Sequence, residues 1–113
     1  MQVCNISFQL NPDIQSPWLI WMKTNFIGEL MATGCFNDHK LYQLEVPEDQ
    51  NPTFTLQLYA VDKTQLSKYH TQFADTLILQ LNNKWGEQCL YFSTNMQIAV
   101  SYTHLTLPTN REV

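Results

Sequence analysis

The stretch Val3-Cys4-Asn5-Ile6-Ser7-Phe8-Gln9-Leu10 alternates without a break. Cys4, Ile6, Phe8 and Leu10 fall on one side of an extended chain and Val3, Asn5, Ser7 and Gln9 on the other, the two-residue period of a strand with one buried face. Asn11-Pro12-Asp13 closes it as a turn. Beyond the turn the period changes. Trp18, Trp21, Met22, Ile27, Leu30 and Met31 recur at helical spacing, widened by Leu19 and Phe26. Ser16-Pro17 offers a capping hydroxyl and a proline for the first turn, so a helix is expected to start there. Gly28 is a weak point inside it, costing about 1 kcal/mol relative to alanine. Gly34 is suited to end it as a left-handed cap, with Phe36 placed to fold back on the last turn.

Two further strands come next. The second spans about residues 40–46, with Tyr42, Leu44 and Val46 on one face. The polar loop Pro47-Glu48-Asp49-Gln50-Asn51-Pro52 is too long for a two-residue hairpin turn. The third presents Phe54, Leu56, Leu58 and Ala60 inward and Thr55, Gln57 and Tyr59 outward. Asp62-Lys63-Thr64-Gln65 fits a capping box in which Asp replaces the usual hydroxyl. Leu66, Tyr69, His70, Phe73, Leu77 and Leu81 then repeat as one second helix, stopped by Gly86. The fourth strand is expected to place Leu90, Phe92, Met96 and Ile98 inside and Cys89, Tyr91, Ser93, Asn95 and Gln97 outside.

This order, βαββαβ, is that of the ferredoxin-like α+β fold. Right-handed crossovers around a central hairpin give a four-stranded antiparallel sheet in the order 4-1-3-2 with both helices on one face. The other face is left without a helix to cover it. It is expected to carry Asn5, Ser7, Gln43, Thr55, Gln57, Tyr59, Tyr91, Ser93 and Asn95, a neutral set rich in amides and phenols.

The chain has 113 residues, 44% apolar and 14% charged, with a net charge of −4. Residues 1–99 read as one domain. Acidity without a lysine cluster argues against nucleic acid and anionic membrane as partners. No run approaches the ~20 apolar residues of a membrane span. The N-terminus carries no signal-peptide pattern, and the expected compartment is the cytoplasm. Cys4, Cys35 and Cys89 show no paired spacing and read as buried thiols; the first and last, on strands of opposite facing, are expected to lie apart. Val100-Ser101-Tyr102-Thr103-His104-Leu105-Thr106-Leu107-Pro108-Thr109 resembles one reading frame of a transposon-type sequencing adapter, so residues 100–113 are read as a non-native tail.

Trp18-Leu19-Ile20-Trp21-Met22-Lys23, then Ala32-Thr33-Gly34-Cys35-Phe36, then Gln57 and Tyr69, resemble a family of small bacterial proteins catalogued as a domain of unknown function, over residues 1–99. The resemblance implies the dimeric α/β-barrel superfamily, in which two ferredoxin-like protomers pack their open sheet faces together. Its relatives include cofactor-free monooxygenases, haem-degrading enzymes, lactone isomerases and ligand-sensing domains, so the resemblance carries a fold rather than a reaction. Family members usually have His-Ile-Pro where this chain has Phe26-Ile27-Gly28, an arginine at Ile78, and charges at Ser93 and Asn95. Any catalytic role of those groups is not inherited here.

Six residues stand as ligand-pocket or interface candidates: Asn5, Gln57, Tyr59, Tyr91, Asn95 and His70. The first five belong to the expected open face; His70 lies on the helical stripe, where a core-edge histidine and a proton-transfer group are the two readings. Trp18 and Trp21 read as packing residues, with a stacking wall for a planar ligand as the alternative. No metal-ligand spacing and no cofactor motif is present, and the expected partners are a second copy of the chain and a small molecule. The leading expectation is a homodimeric ligand-binding or interaction module. Its rival is a cofactor-independent enzyme using Tyr59, Tyr91 or His70 on a small hydrophobic molecule.

Overall fold

A computed structural model describes residues 1–99; the adapter-like stretch lies outside them. Strands β1 (Gln2–Leu10), β2 (Asp38–Gln43), β3 (Thr53–Ala60) and β4 (Cys89–Gln97) form one sheet in the order β2-β3-β1-β4. Every neighbouring pair is antiparallel. This is the topology read from the sequence. β1 is central because it alone pairs two long strands, β3 and β4, in unbroken register.

The covered face is built by alternation. Cys4, Ile6 and Phe8 of β1 pair with Leu58, Leu56 and Phe54 of β3, and all six are buried, as is Leu10. The helical layer lies over them. Trp18 is fully buried, its ring 5.2 Å from Phe8 in an edge-on approach and 4.9 Å from Phe54. Such pairs add about 0.5–1.5 kcal/mol to the area they bury.

The first helix starts earlier than Ser16-Pro17. Asn11 caps a 3-10 turn over Pro12–Ile14, its Oδ1 accepting from the Asp13 amide at 3.0 Å, and the chain runs on into α1 (Gln15–Trp21). Pro17 is tolerated because the first helical amides need no intrahelical acceptor. A π turn over Met22–Phe26 then joins α1 to α2 (Ile27–Ala32), with the Ile27 amide donating to the Met22 carbonyl. The buried residues Trp18, Met22, Phe26 and Leu30 are four apart. In a regular helix each such step overshoots a full turn by about 40°. One wider turn absorbs that drift and keeps all four over the sheet. Gly34 ends the helix at φ +76°, and Phe36 folds back into the core, as expected.

Asp62 caps α3 (Lys63–Gln72), its Oδ1 accepting from Gln65 at 3.0 Å. The expected single second helix is interrupted at Phe73 (φ −125°), after which α4 (Ala74–Trp85) continues to Gly86 at φ +58°. Leu66 and Tyr69 are buried before the break and Leu77 and Leu81 after it, so the bend lets both halves keep an apolar stripe on the sheet.

Strand four corrects the sequence reading. Its register with β1 pairs Leu10 with Cys89, Phe8 with Tyr91, Ile6 with Ser93 and Cys4 with Asn95. Cys89, Tyr91, Ser93 and Asn95 therefore share the helix side, and Leu90, Phe92, Thr94 and Met96 stand on the open face. Cys89 is buried while Leu90 and Phe92 are 58% and 66% exposed. Strand two is shifted in the same sense: Leu41 pairs with Leu56 on the covered side, and Tyr42 pairs with Thr55 on the open one. Gln43, expected on the open face, pairs with Phe54 on the covered side. Cys4 and Cys89 share a face after all; they stay apart because they sit at opposite ends of the β1–β4 register.

Replacing Trp18 by alanine removes the ring that joins the helix layer to β1 and β3. Urea unfolding of the Trp18→Ala variant is expected to show a loss of about 3–5 kcal/mol. Burial holds the thiols of Cys4 and Cys89 up at about 11, from an ordinary 9.0. Each thiol keeps its proton more tightly folded than unfolded, so its contribution is full below pH 9.0 and lost as the pH rises toward about 11. Stability is expected to fall there by up to about 1.4 kcal/mol per pH unit per thiol, and Cys89→Ala should flatten the slope in alkaline denaturant titrations.

Candidate functional site

The open face is a grid of cross-strand rows. Tyr42, Thr55, Ser7 and Phe92 form one row, and Lys40, Gln57, Asn5 and Thr94 the next. Asp38, Tyr59, Val3 and Met96 form a third. On the strands of this face only Asp38 and Lys40 are charged, and both stand on the edge strand β2. The centre is neutral and polar. Tyr59 donates its hydroxyl proton to Gln57 Oε1 at 2.7 Å, and Ser7 Oγ lies 3.4 Å from Thr55 Oγ1. Lys40 Nζ sits 5.9 Å from the centre of the Tyr59 ring, within cation–π range.

The six sequence candidates divide between the two sides of the sheet. Asn5, Gln57 and Tyr59 are on the open face, half-buried, with Asn5 opposite Gln57 in register. Tyr91, Asn95 and His70 are on the helix side. Tyr91 Oη accepts from Asn82 Nδ2 of α4 at 3.4 Å, and His70 Nε2 of α3 is 3.1 Å from Asn95 Oδ1. These two contacts tie the helices to the outer strand. The His70 ring also meets the buried Tyr69 edge-on at 5.2 Å. Burial pushes the Tyr69 phenol well above its ordinary range, and the nearby Cys4 and Cys35 push it the same way. Tyr59, Tyr91 and His70 thus do not share a pocket.

Both tryptophans of the first helix already have ring partners. Trp21 stacks on Phe26 at 5.0 Å and meets Trp85 edge-on at 5.8 Å, while Trp18 is enclosed by Phe8 and Phe54.

Sequence reasoning missed Leu90, Phe92 and Met96 as members of the open face. Strand four is apolar on both parities near its start, Cys89 and Tyr91 against Leu90 and Phe92, so alternation alone does not choose. Among the described residues, three hollows lie on or beside this face. One, of about 310 Å³, is lined by Ser7, Gln9, Thr53, Leu90 and Phe92 among others. A second, of about 370 Å³, is lined by Met1, Asn37, Asp38, Lys40 and Tyr59. A third, of about 440 Å³, lies at the end of the sheet beside Gln9, Leu90 and Glu87. A groove of about 340 Å³ on the far side runs between α2 and α4, with Phe73 and Leu77 among the apolar lining and Glu29 at its rim.

A family model described as Domain of unknown function (DUF4286) matches residues 1–99. The chain belongs to that family. No curated protein matches it. Among solved structures, an ethyl tert-butyl ether (ethd) family protein from Bacillus halodurans superposes with a TM-score of 0.62 at 11% identity, covering 83% of this chain and 97% of that one. A dimeric ferredoxin-like protein from an uncultured marine organism gives 0.59 at 8%, covering 88% and 96%. SnoaB from Streptomyces nogalater, described as a cofactor-independent oxygenase, gives 0.59 at 10%, covering 90% and 97%. At these identities the likeness is one of fold: this chain shares the ferredoxin-like architecture of these proteins. Among the described residues, no helix is long and apolar enough to cross a membrane.

Removing the Tyr59 hydroxyl leaves Gln57 Oε1 without its donor. Because the pair is only half-buried, Tyr59→Phe is expected to cost no more than about 0.5–1.5 kcal/mol in thermal or urea unfolding, while Tyr69→Ala, in the core, should cost about 3–5.

Proposed function

We propose that this protein is a homodimeric module that buries its open sheet face against a second copy and uses that face to hold a small ligand. One observation carries the reading: Leu90 and Phe92, large apolar side chains on adjacent open-face positions of β4, are mostly exposed in the single chain. Met96 and Ile98 extend the stripe, and Tyr42 and Leu44 stand exposed on the opposite edge. Covering a side chain of this size is worth about 1.5–3 kcal/mol when burial is complete, so the stripe favours association. A face of four strands and about eight residues spans roughly 19 by 27 Å from strand spacing and rise. That is about 500 Å² in projection before side-chain relief, the order of the ~800 Å² per partner of a stable complex. One similar structure is described as dimeric, which supports a second copy as the occupant.

The alternative is cofactor-independent chemistry on a small hydrophobic molecule. It is favoured only by the Tyr59 phenol, held by Gln57 beside the Lys40 ammonium, because Tyr91 and His70 face the helices. The dimeric reading uses the whole face and is preferred.

Native mass spectrometry and light scattering on the full chain test it. A dimer is expected, with Phe92→Glu shifting it to monomer, because a carboxylate would enter an apolar contact without a partner. A wild-type protein that stays monomeric at high micromolar concentration would sink the proposal. Extra mass on the dimer would identify a ligand directly.

A further inference from the structure

The open face is polar along its centre, apolar along its β4 edge, and apolar at the Tyr42–Leu44 end of its β2 edge, whose other end carries Asp38 and Lys40. Tyr42 and Leu44 stand on or next to β2, and Leu90, Phe92, Met96 and Ile98 on or next to β4. Between them, β1 and β3 present Asn5, Ser7, Gln9, Thr53, Thr55, Gln57 and Tyr59, with Val3 the single apolar exception. We infer that the dimer seals at these apolar edge positions and encloses a hydrated chamber lined by the uncharged central polar side chains, open to small hydrogen-bonding solutes. This deepens the dimeric reading and rests on it.

The physical reason is hydrogen-bond satisfaction. Among the described residues the seven central polar side chains make only two contacts with one another, Ser7 with Thr55 and Tyr59 with Gln57. Thr53 Oγ1 is turned to the Asn51 carbonyl at 3.2 Å. The Asn5 and Gln9 amides have no side-chain partner among the described residues, and Gln57 retains its whole NH₂ group because its oxygen is the acceptor for Tyr59. Pressing a second copy dry against the centre would pair these groups only where the partner's amides and hydroxyls align, and each one left unpaired costs about 1–3 kcal/mol. Water or a small solute satisfies them at little cost.

Shape favours the same outcome. In the row Tyr42–Thr55–Ser7–Phe92 the two central side chains are small and the two outer ones are large. In that row the taller outer side chains meet first when two such faces approach, whether a β2 edge meets a β4 edge or its own copy. The hollow of about 310 Å³ lies where the polar centre meets the β4 rim, with Ser7, Gln9 and Thr53 on one side and Leu90 and Phe92 on the other. The central polar side chains set the solute class: uncharged molecules carrying both donors and acceptors, matched by amides and hydroxyls, with no carboxylate in the centre to attract a cation.

Thiol labelling decides it. The three native cysteines are buried, so they give a low background. Asn5→Cys places a thiol in the centre and Phe92→Cys one on the rim, both in the full chain. A small uncharged reagent, methyl methanethiosulfonate, is added at protein concentrations where the sample is monomeric and where it is dimeric. In the dimer, Asn5→Cys is expected to react within about threefold of its monomer rate, and Phe92→Cys at least about tenfold more slowly. Protection of Asn5→Cys to the same extent as Phe92→Cys would mean a dry face and overturn the chamber while leaving the dimer standing. A wild-type monomer overturns the dimeric reading itself. Ser7→Cys, also central, replaces Asn5→Cys if that variant fails to fold by circular dichroism.

Discussion

The register of β1 between β3 and β4 is the constraint on which the rest of the molecule depends. Eight consecutive pairs with β3 and nine with β4 lock one parity of β1 against the helices. That single choice puts Phe8 and Phe54 around Trp18 and so fixes where the first helix can lie. A one-residue slip would carry Cys4, Ile6, Phe8 and Leu10 into solvent and bring Asn5, Ser7 and Gln9 under the helices without partners, a change no local adjustment could offset.

The same register decides the function the face can serve. Because β1 gives its apolar parity to the helices, its polar parity forms the centre of the open face. Because β4 is locked to β1 through Leu10 and Cys89, its Leu90 and Phe92 stand on that open face. An apolar edge beside a polar centre is therefore a by-product of one strand pairing. It gives the sheet a surface suited to association at its rims and to hydrogen bonding in its middle.

The helix side has finished its work within the chain. The π turn at Met22–Phe26, the bend at Phe73, and the His70–Asn95 and Asn82–Tyr91 contacts all serve to fit a helical layer onto a four-stranded sheet. The three thiols and both first-helix tryptophans are spent in that packing. The exposed apolar stripe of Leu90, Phe92 and Met96 lies on the other face, which is why the functional reading belongs there.

Local chemistry was legible in the sequence wherever one residue settles a backbone conformation. Gly34 and Gly86 at positive φ, Asp62 as a cap and the strict alternation of β1 and β3 were readable because each depends on its own neighbours. The βαββαβ order came from them, and with it the sheet order. The facing of β2 and β4 was not legible, because their apolar residues occupy both parities and only pairing with β3 and β1 chooses between them. For the candidate site, this meant that Asn5, Gln57 and Tyr59 were placed together from sequence, whereas Tyr91 and Asn95 moved to the helix side and Leu90 and Phe92 took their place. The sequence by itself determined which elements form and how they are ordered. Only the tertiary structure decided which side of each edge strand meets solvent, since an edge strand takes its facing from the strand it pairs with rather than from its own pattern.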